Sequence, residues 1–355
     1  MAKTNPIVEK FTNAQNRLVL QSSDLSLDAI ARMVESEAID VSPIYQRRDR
    51  WPIEKQSALI ESFLLNIPVP PIYLAEDEYG RYSAIDGKQR VTAINKFILH
   101  KMKLQNLEFY KEVENLTFND LPQDLKNALT IRPYLRVVTL LKQSDPNLKY
   151  EVFTRLNTGG DPLLPQEIRN VVFRGQLNDL IYELGNNNFL KQQLKITSNQ
   201  SKAYKEMLDA EYVLRFFTLK EYWKNFPGNI RKAMDIYMAE NQNITDSKIS
   251  ELKNTFNRTI ELVEQIWGNF AFFRPEGNQQ IVQGFYDIQM VPLTFLTHTQ
   301  LNQLLQNKTK FKNLFIKRYD NDADFNESIR QFTSNPKNVR NRMVTMQSII
   351  LSAIK

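Results

Sequence analysis

Cysteine is absent from the 355-residue chain, and histidine is nearly so, with only His100 and His298. Without cysteine there is no disulfide and no thiolate to bind a metal. Two histidines far apart in the sequence also argue against a histidine-based metal or catalytic cluster, and we expect both to be ordinary surface or packing residues. We therefore expect no zinc, and we also expect no haem and no flavin. The missing cysteines also fit a reducing cytoplasm.

Long hydrophobic runs are missing as well. No stretch approaches the ~18 consecutive apolar residues that cross a membrane, and the N-terminal MAKTNPIVEKF lacks the apolar centre of a secretory signal. Hydrophobic residues make up 42% of the chain, enough for a core in one large domain or two ordinary ones. The sequence thus predicts a soluble, cytoplasmic protein with no membrane partner.

Acidic residues are scarce at the carboxyl end. Residues 301–355 hold ten Lys or Arg and four Asp or Glu, a net charge of +6 that equals the value for the whole chain. The densest part, residues 307–318, interleaves five basic side chains with Phe311 and Phe315. Such a segment can follow a phosphate backbone, which makes DNA an expected partner. The alternative is the solvated face of an ordinary C-terminal helix.

Hydrophobic spacing in the first 175 residues indicates both helices and strands. The predicted strands are a hairpin within 68–86 and a buried strand over 134–141, and the predicted helices are 24–35, 53–67, 88–100, 151–157 and 166–177. Beyond 175 the strand-like alternation vanishes. Helices are predicted there over 203–224, 229–240, 247–272 and 279–306, and the polar stretch 175–200 is predicted to be a loop.

These patterns predict an α+β protein with two domains. The first, residues 1–175, would combine a small mixed sheet with helices. The second, residues 176–355, would be mainly α-helical and end in the basic segment.

The stretch YSAIDGKQRVTAI, residues 82–94, places four polar side chains where a predicted strand joins a predicted helix. A helix N-terminus presents unpaired N–H groups and a partial positive charge, which suit phosphate. Gly87 lets the backbone approach a ligand. Lys88 and Arg90 add positive charge, and the planar fork of Arg90 can grip phosphate oxygens in pairs. Asp86 would repel phosphate unless it binds a metal ion, orients a water or contacts a ribose; the structural alternative is that it caps the helix.

Two further polar clusters stand at predicted element junctions. Upstream, Gln46, Arg47 and Arg48 precede Trp51 and a helix start. Downstream, a Gly-Gly turn leads into another helix, and the polar residues around it are Arg155, Asn157, Thr158, Glu167, Arg169 and Asn170. Three such clusters could converge on one phosphate-bearing ligand. None matches a Walker A loop, which requires G-x-x-x-x-G-K-[ST].

Together these segments resemble the ParB/sulfiredoxin-like superfamily, in the branch that forms the N-terminal domain of GmrSD-type restriction enzymes, catalogued as a domain of unknown function. The residues that carry the resemblance are Tyr45-Gln46-Arg47 with Trp51, Pro68 to Leu74, Asp86 to Arg90, and Phe153 to Asn170. The resemblance spans about residues 20–240. Many relatives carry Gln where this chain has Lys88, which adds charge and could change the preferred nucleotide.

The resemblance implies binding of a nucleoside triphosphate with Mg²⁺, hydrolysis in some relatives, and DNA-directed restriction or antiviral defence. The residues it implies as catalytic are Asp86, Gln89 and Arg90, with Asp86 also a candidate Mg²⁺ ligand. Ligand contacts would come from Gln46, Arg47, Gly87, Lys88, Arg155, Asn157 and Thr158, and Glu167 and Arg169 would complete or brace the site. Larger relatives append an HNH nuclease, whose metal chemistry needs histidines that this sequence does not supply. We therefore expect DNA cleavage to come from a partner protein or from the carboxylates of the Asp86 site.

Two alternatives remain open at this stage. One is a non-catalytic DNA-binding or sensing subunit, in which the same clusters hold a ligand without chemistry. The other is a metal-dependent DNA nickase that uses Asp86 with Glu167.

Overall fold

The computed structural model describes residues 5–41, 51–132, 134–156, 164–277 and 280–355. The chain forms two compact units, Met1–Val172 and Phe173–Lys355. That these units are independent domains, as predicted for 1–175 and 176–355, stays a prediction. The fold class is confirmed, because the first unit combines a mixed sheet with helices and the described part of the second is helical.

Five strands form the sheet of the first unit in the spatial order β1-β5-β3-β4-β2. β3 and β4 make the predicted hairpin, β3 runs parallel to β5, and β2 runs parallel to β4. β1 pairs antiparallel with β5 at one edge. The bounds are β1 Leu20–Ser26, β2 Ile39–Asp40, β3 Ile72–Glu78, β4 Arg81–Asp86 and β5 Tyr134–Leu140.

Helices accompany the sheet in the first unit. Their bounds are α1 Pro6–Arg17, α2 Leu27–Glu35, α3 Ile53–Leu64, α4 Lys88–Leu99, α5 Gln123–Ile131, α6 Pro146–Leu156 and α7 Pro165–Val172. A hydrophobic core joins α2, α3 and α4 to the strands; fully buried members include Ile30, Ile60, Ile72, Val91 and Ile94. The predicted helices 53–67 and 88–100 and the strand 134–141 are therefore present, with ends shifted by one to three residues.

The predicted helix over 24–35 was wrong at its start, because residues 24–26 belong to β1. This strand has the sequence LQSSDLS, with only two apolar residues, so hydrophobic alternation did not reveal it. Hydrogen bonding to β5 and an ion pair between Arg136 and Asp24 (2.9 Å) hold it in place. Ser26 then caps α2 by accepting the N–H of Ala29 at 3.2 Å.

The second unit is built from helices and short 3-10 turns in its described residues. The bounds are α8 Gln176–Gly185, α9 Asn188–Gln193, α10 Lys202–Lys205, α11 Leu208–Tyr222, α12 Ile230–Glu240, α13 Asp246–Trp267, α14 Gln283–Met290, α15 His298–Gln306, α16 Lys308–Asn321, α17 Ala323–Arg330 and α18 Pro336–Ile354.

Three predictions for this unit were wrong in detail. The polar stretch 175–200 contains α8 and α9 rather than a loop, because Phe189, Leu190 and Leu194 are buried. The helix predicted over 203–224 breaks at Met207, whose φ of 55° is left-handed. The helix predicted over 279–306 divides into α14 and α15 around a 3-10 segment that contains Pro292.

The basic segment 307–318 lies on α16, and its two kinds of side chain occupy different faces. Phe311 and Phe315 are buried against Trp267, while Lys308, Lys310 and Lys317 are exposed. The aromatic rings of this segment therefore belong to the core, which supports the interpretation as a solvated helix face. His100 and His298 are exposed, as expected.

Among the described residues, no helix is both long enough and apolar enough to cross a membrane. The cytoplasmic location stays a prediction.

Candidate functional site

The junction between β4 and α4 is a tight turn made by Gly87. Its φ of 92° lies in the left-handed region, and as the residue before the helix it provides no side-chain cap for α4. A Cβ at this position would come within 3.1 Å of both the Arg90 Nη2 and the Ile72 Cγ1. Glycine is thus required by the backbone and by packing, and the first N–H groups of α4 have no side-chain cap from Gly87.

Asp86 and Arg90 form an ion pair across this turn. The Arg90 Nη2 donates to the Asp86 Oδ2 at 2.6 Å, and its Nη1 donates to the backbone oxygen of Pro70 at 2.8 Å. The guanidinium is nearly buried, whereas 40% of the Asp86 side chain is exposed. Arg90 therefore ties the end of β4 to the segment before β3 and holds the Asp86 carboxylate in a fixed position that solvent still reaches.

The start of α3 lies beside the first turn of α4. The Trp51 N–H donates to the Gln89 Oε1 at 3.4 Å, and the Gln56 Nε2 donates to the Trp51 backbone oxygen at 2.8 Å. Because β2 runs parallel to β4, its carboxyl end at Asp40 points toward the same end of the sheet as Asp86. Gln46 and Arg47 lie outside the described residues, but the chain enters and leaves that stretch at this end.

The third predicted cluster is only partly described. α6 packs against β4 and α7, while Arg155 on α6 is 82% exposed and pairs with Glu151 at 3.3 Å. Asn157 and Thr158 lie outside the described residues. The structure thus places Trp51 beside Gln89 of the Asp86 cluster and sets the helix of the third cluster beside β4.

Polar side chains on α7 are buried, which is unusual for charged residues. The side chains of Gln166, Glu167, Arg169 and Asn170 are each at most 3% exposed. Glu167 accepts the Leu164 N–H at 2.7 Å through its Oε2, and Arg169 donates to the Gln166 Oε1 at 3.2 Å. Glu167 and Arg169 thus bond neighbouring residues of the chain, and their bracing role stays a prediction.

Sequence reasoning missed two glutamines of the first unit, Gln56 on α3 and Gln166 on α7. Both are buried, and each leaves one amide atom without a hydrogen-bond partner in the described part of the chain, namely the Gln56 Oε1 and the Gln166 Nε2. Glutamine on an apolar helix face is the signal that could have revealed them, because a buried amide is costly unless something bonds it.

A metal site built entirely by the protein is not found among the described residues, since none of them form a group of three Asp, Glu or His that could hold an ion. Mg²⁺ bound with a nucleotide needs fewer protein ligands, because one or two carboxylates suffice when phosphates and water fill the other coordination positions. The partly exposed Asp86 carboxylate fits that requirement. Its ion pair with Arg90 would compete with the metal for the same oxygen.

Residues 30–174 match the family model of the GmrSD restriction endonuclease, N-terminal domain. The predicted resemblance is thereby confirmed: this part of the chain is similar to the GmrSD-type N-terminal domain. The match covers the hairpin, the turn at Gly87 and α7. No curated protein and no solved structure matches the chain. The likeness to ParB stays a prediction.

Proposed function

From the GmrSD-type domain at residues 30–174, we propose that this chain is the nucleotide-binding, NTP-hydrolysing component of a DNA-directed restriction or antiviral defence system. The observation that carries the proposal is the Gly87 turn. It joins a helix N-terminus that has no side-chain cap from Gly87, and helix N-termini suit phosphate, to a carboxylate that is held in place yet reached by solvent.

The residues around the turn divide the work. Lys88 and the first N–H groups of α4 would contact the phosphates of the nucleotide. Asp86 would orient the attacking water or hold the Mg²⁺ that the nucleotide carries, which neutralises phosphate charge. Gln89 already bonds the start of α3, so it would couple the bound nucleotide to the segment that contains Gln46 and Arg47.

Arg90 would act mainly through Asp86. Its two described hydrogen bonds go to protein atoms, so it differs from the phosphate-gripping arginine that its sequence position suggested. We still expect Arg90→Ala to weaken nucleotide binding more than Lys88→Ala. Loss of Arg90 frees both Asp86 and the segment before β3, whereas loss of Lys88 removes a single charge without the paired bonds of a guanidinium.

The test of the proposed function is phosphate release from each of the four NTPs with Mg²⁺. We expect turnover of at least one NTP, and a loss of about 100-fold or more in Asp86→Ala, as is typical for a residue that positions a proton acceptor or metal. Asp28→Ala is the matched control, because Asp28 forms an ion pair with Arg32 at the same four-residue spacing on the surface (2.7 Å). Turnover that is equal in Asp86→Ala and wild type would refute the assignment.

A double-mutant cycle separates the roles of Asp86 and Arg90. If Arg90 acts through Asp86, Arg90→Ala should reduce turnover in the wild-type background and add little in the Asp86→Ala background. Additive losses in the cycle would show that Arg90 contacts the nucleotide independently.

The non-catalytic subunit remains the second candidate, and the Asp86–Arg90 ion pair is the observation that favours it. A carboxylate whose charge is already balanced by an arginine at 2.6 Å is a poorer metal ligand. Thermal-shift screening distinguishes the two, since a ligand at ~100 times its Kd stabilises the protein by about 2.7 kcal/mol. Stabilisation by an NTP without phosphate release would support this second candidate.

A further inference from the structure

Two segments of the second unit that contain no acidic residue meet on its surface. Residues 222–234 carry three basic side chains, and residues 328–355 carry five, with no Asp or Glu in either. Of those five, Arg330 pairs with Glu276 and Arg342 is buried against Asp287, which leaves Lys337, Arg340 and Lys355 on the surface. The Arg340 Nη2 donates to the backbone oxygen of Lys224 at 2.7 Å, and Pro336 lies 3.4 Å from the position of a Cβ on Gly228. The fold therefore joins two positively charged segments that are about a hundred residues apart in the chain.

Exposed aromatic rings accompany these charges. Phe295 is 45% exposed and lies 6.1 Å from the ring of Trp223, beside which Lys224 is placed. Phe332, in the turn that leads into α18, is 68% exposed. We call the surface formed by Lys224, Phe295, Phe332, Lys337 and Arg340 the basic aromatic face.

Phe332 has a strained backbone conformation, and its exposed ring does not pack in the core. Its φ of 47° is left-handed, a region that aromatic residues rarely adopt. The turn is held from below, because the Asn335 N–H donates to the Phe332 oxygen at 2.8 Å and the buried Arg342 donates to the Thr333 oxygen at 2.8 Å. The protein thus holds a phenyl ring in solvent on a fixed support, in the turn that precedes α18, the helix that carries Lys337 and Arg340.

The basic segment on α16 lacks this combination. Its Phe311 and Phe315 are buried, and Arg318 is paired with Asp322 at 2.7 Å. Cations beside exposed rings are what a single-stranded polynucleotide requires, because phosphates bind the cations and unpaired bases stack on the rings. A duplex keeps its bases stacked inside and would use only the cations.

We propose that the basic aromatic face binds a single-stranded polynucleotide, with bases stacked on Phe332 and Phe295 and the backbone held by Lys224, Lys337 and Arg340. The inference rests on the DNA-directed part of the proposed function. It does not depend on nucleotide hydrolysis at Asp86.

The experiment measures binding of a fluorescent 20-nucleotide single-stranded DNA by anisotropy, with the duplex and the RNA of the same sequence as further probes. We expect single strands to bind at least tenfold more tightly than the duplex. The DNA and RNA arms identify which polynucleotide is preferred. Equal affinity for single strands and duplex would overturn the stacking part of the proposal.

Phe332→Asn is the decisive variant. Asparagine tolerates the left-handed backbone better than phenylalanine does, so the melting temperature should stay equal or rise, while affinity for single strands should fall about tenfold. Phe270→Ala is the control, because Phe270 is also highly exposed (73%) but lies outside the basic aromatic face. Unchanged affinity in Phe332→Asn would overturn the proposal.

The cations are tested through salt dependence. Log affinity for single strands changes with log salt by about −0.7 for each neutralised phosphate, so the Lys224→Gln, Lys337→Gln double variant should reduce the slope by about 1.4. The Lys308→Gln, Lys317→Gln double variant on α16 should leave it unchanged; the opposite pattern would place the binding surface on α16. Asp86→Ala should retain single-strand binding, so loss of NTP turnover and loss of this interaction can be recognised separately.

Discussion

Gly87 shows how one residue can determine the geometry of a site. Its positive φ turns the chain from β4 into α4, and the missing side chain leaves room for the Arg90 guanidinium and the side chain of Ile72. The ion pair that positions Asp86 therefore depends on Gly87, although Gly87 takes no part in the ion pair itself.

We expect Gly87→Ala to lower both stability and nucleotide binding. Left-handed backbone alone costs a non-glycine residue about 1–2 kcal/mol, and the added methyl group would also displace Arg90 or Ile72. Gly80→Ala provides the control, because Gly80 also has a positive φ (77°) but nothing lies within 4 Å of its Cβ position. Urea denaturation and NTP thermal shift should show the larger loss in Gly87→Ala; equal losses in the two variants would contradict the crowding argument.

Trp51 supports the site from the side of α3. It is half-buried, packs against the core of the first unit, and has the Lys55 Nζ 4.8 Å from its ring centroid. We expect Trp51→Ala to lower the melting temperature by several degrees, since truncating a packed Trp costs up to ~3–5 kcal/mol. A variant that melts like wild type but fails to bind nucleotide would show instead that the ring contacts the ligand.

At the scale of elements, α3 is anchored by a buried carboxylate rather than by apolar contacts alone. Glu61 accepts three backbone N–H groups, from Glu108 at 3.0 Å, Phe109 at 2.7 Å and Tyr110 at 2.9 Å. Burial by itself raises the pKa of Glu61, but these N–H groups and Lys111 outweigh it and hold the pKa below its ordinary value of 4.5. The helix that begins beside Gln89 is thus fastened at its other end.

We expect Glu61→Gln to destabilise the protein in a pH-dependent way. A lowered pKa means that Glu61 contributes stability above pH ~4.5 and that this contribution is lost as the pH falls through the folded-state pKa. Losing charged hydrogen bonds costs about 2 kcal/mol, so melting should occur several degrees lower at pH 7 and the gap should close toward pH 3. Glu54→Gln, an exposed change on the same helix, should have little effect, and a gap that persists at pH 3 would refute the linkage.

At the scale of the whole molecule, a buried charge cluster joins three helices of the second unit. Arg215 on α11 and Arg342 on α18 both bond Asp287 on α14, with the shortest distances 2.6 Å, and all three are essentially inaccessible to solvent. Burial lowers the pKa of Arg342 to about 10; the charge of Asp287 raises this pKa, and the charge of Arg215 lowers it further. Within the described residues the Arg342 Nε has no hydrogen-bond partner.

Asp287→Asn should therefore be strongly destabilising. It would leave two arginines buried without a counter-charge, and breaking a buried pair typically costs about 3–5 kcal/mol. Urea denaturation measures the change. Glu251→Gln, which removes a surface pair with Lys248 (2.9 Å), should stay within about 0.5 kcal/mol of wild type. Similar effects of the two substitutions would show that the cluster contributes little to the second unit.

The sequence by itself determined the features that depend on neighbours along the chain. Hydrophobic spacing predicted α3, α4 and β5, and the Asp86–Arg90 motif marked the strand-to-helix turn that the structure shows. Absent cysteines excluded disulfides. These features are local, because a helix face, a glycine turn or a cysteine count is readable within a few residues.

Only the tertiary structure decided the features that depend on distant partners. The polar strand Leu20–Ser26 exists because β5 pairs with it, and α9 exists because Phe189 and Leu190 find a core. The Arg90 guanidinium bonds the Pro70 oxygen instead of standing open to a ligand. The basic aromatic face combines Lys224, Phe295 and the segment 332–340 from distant parts of the chain. In each case, burial and hydrogen bonding between distant residues outweigh local preference. The spacing of residues in a single sequence does not reveal which distant residues will meet.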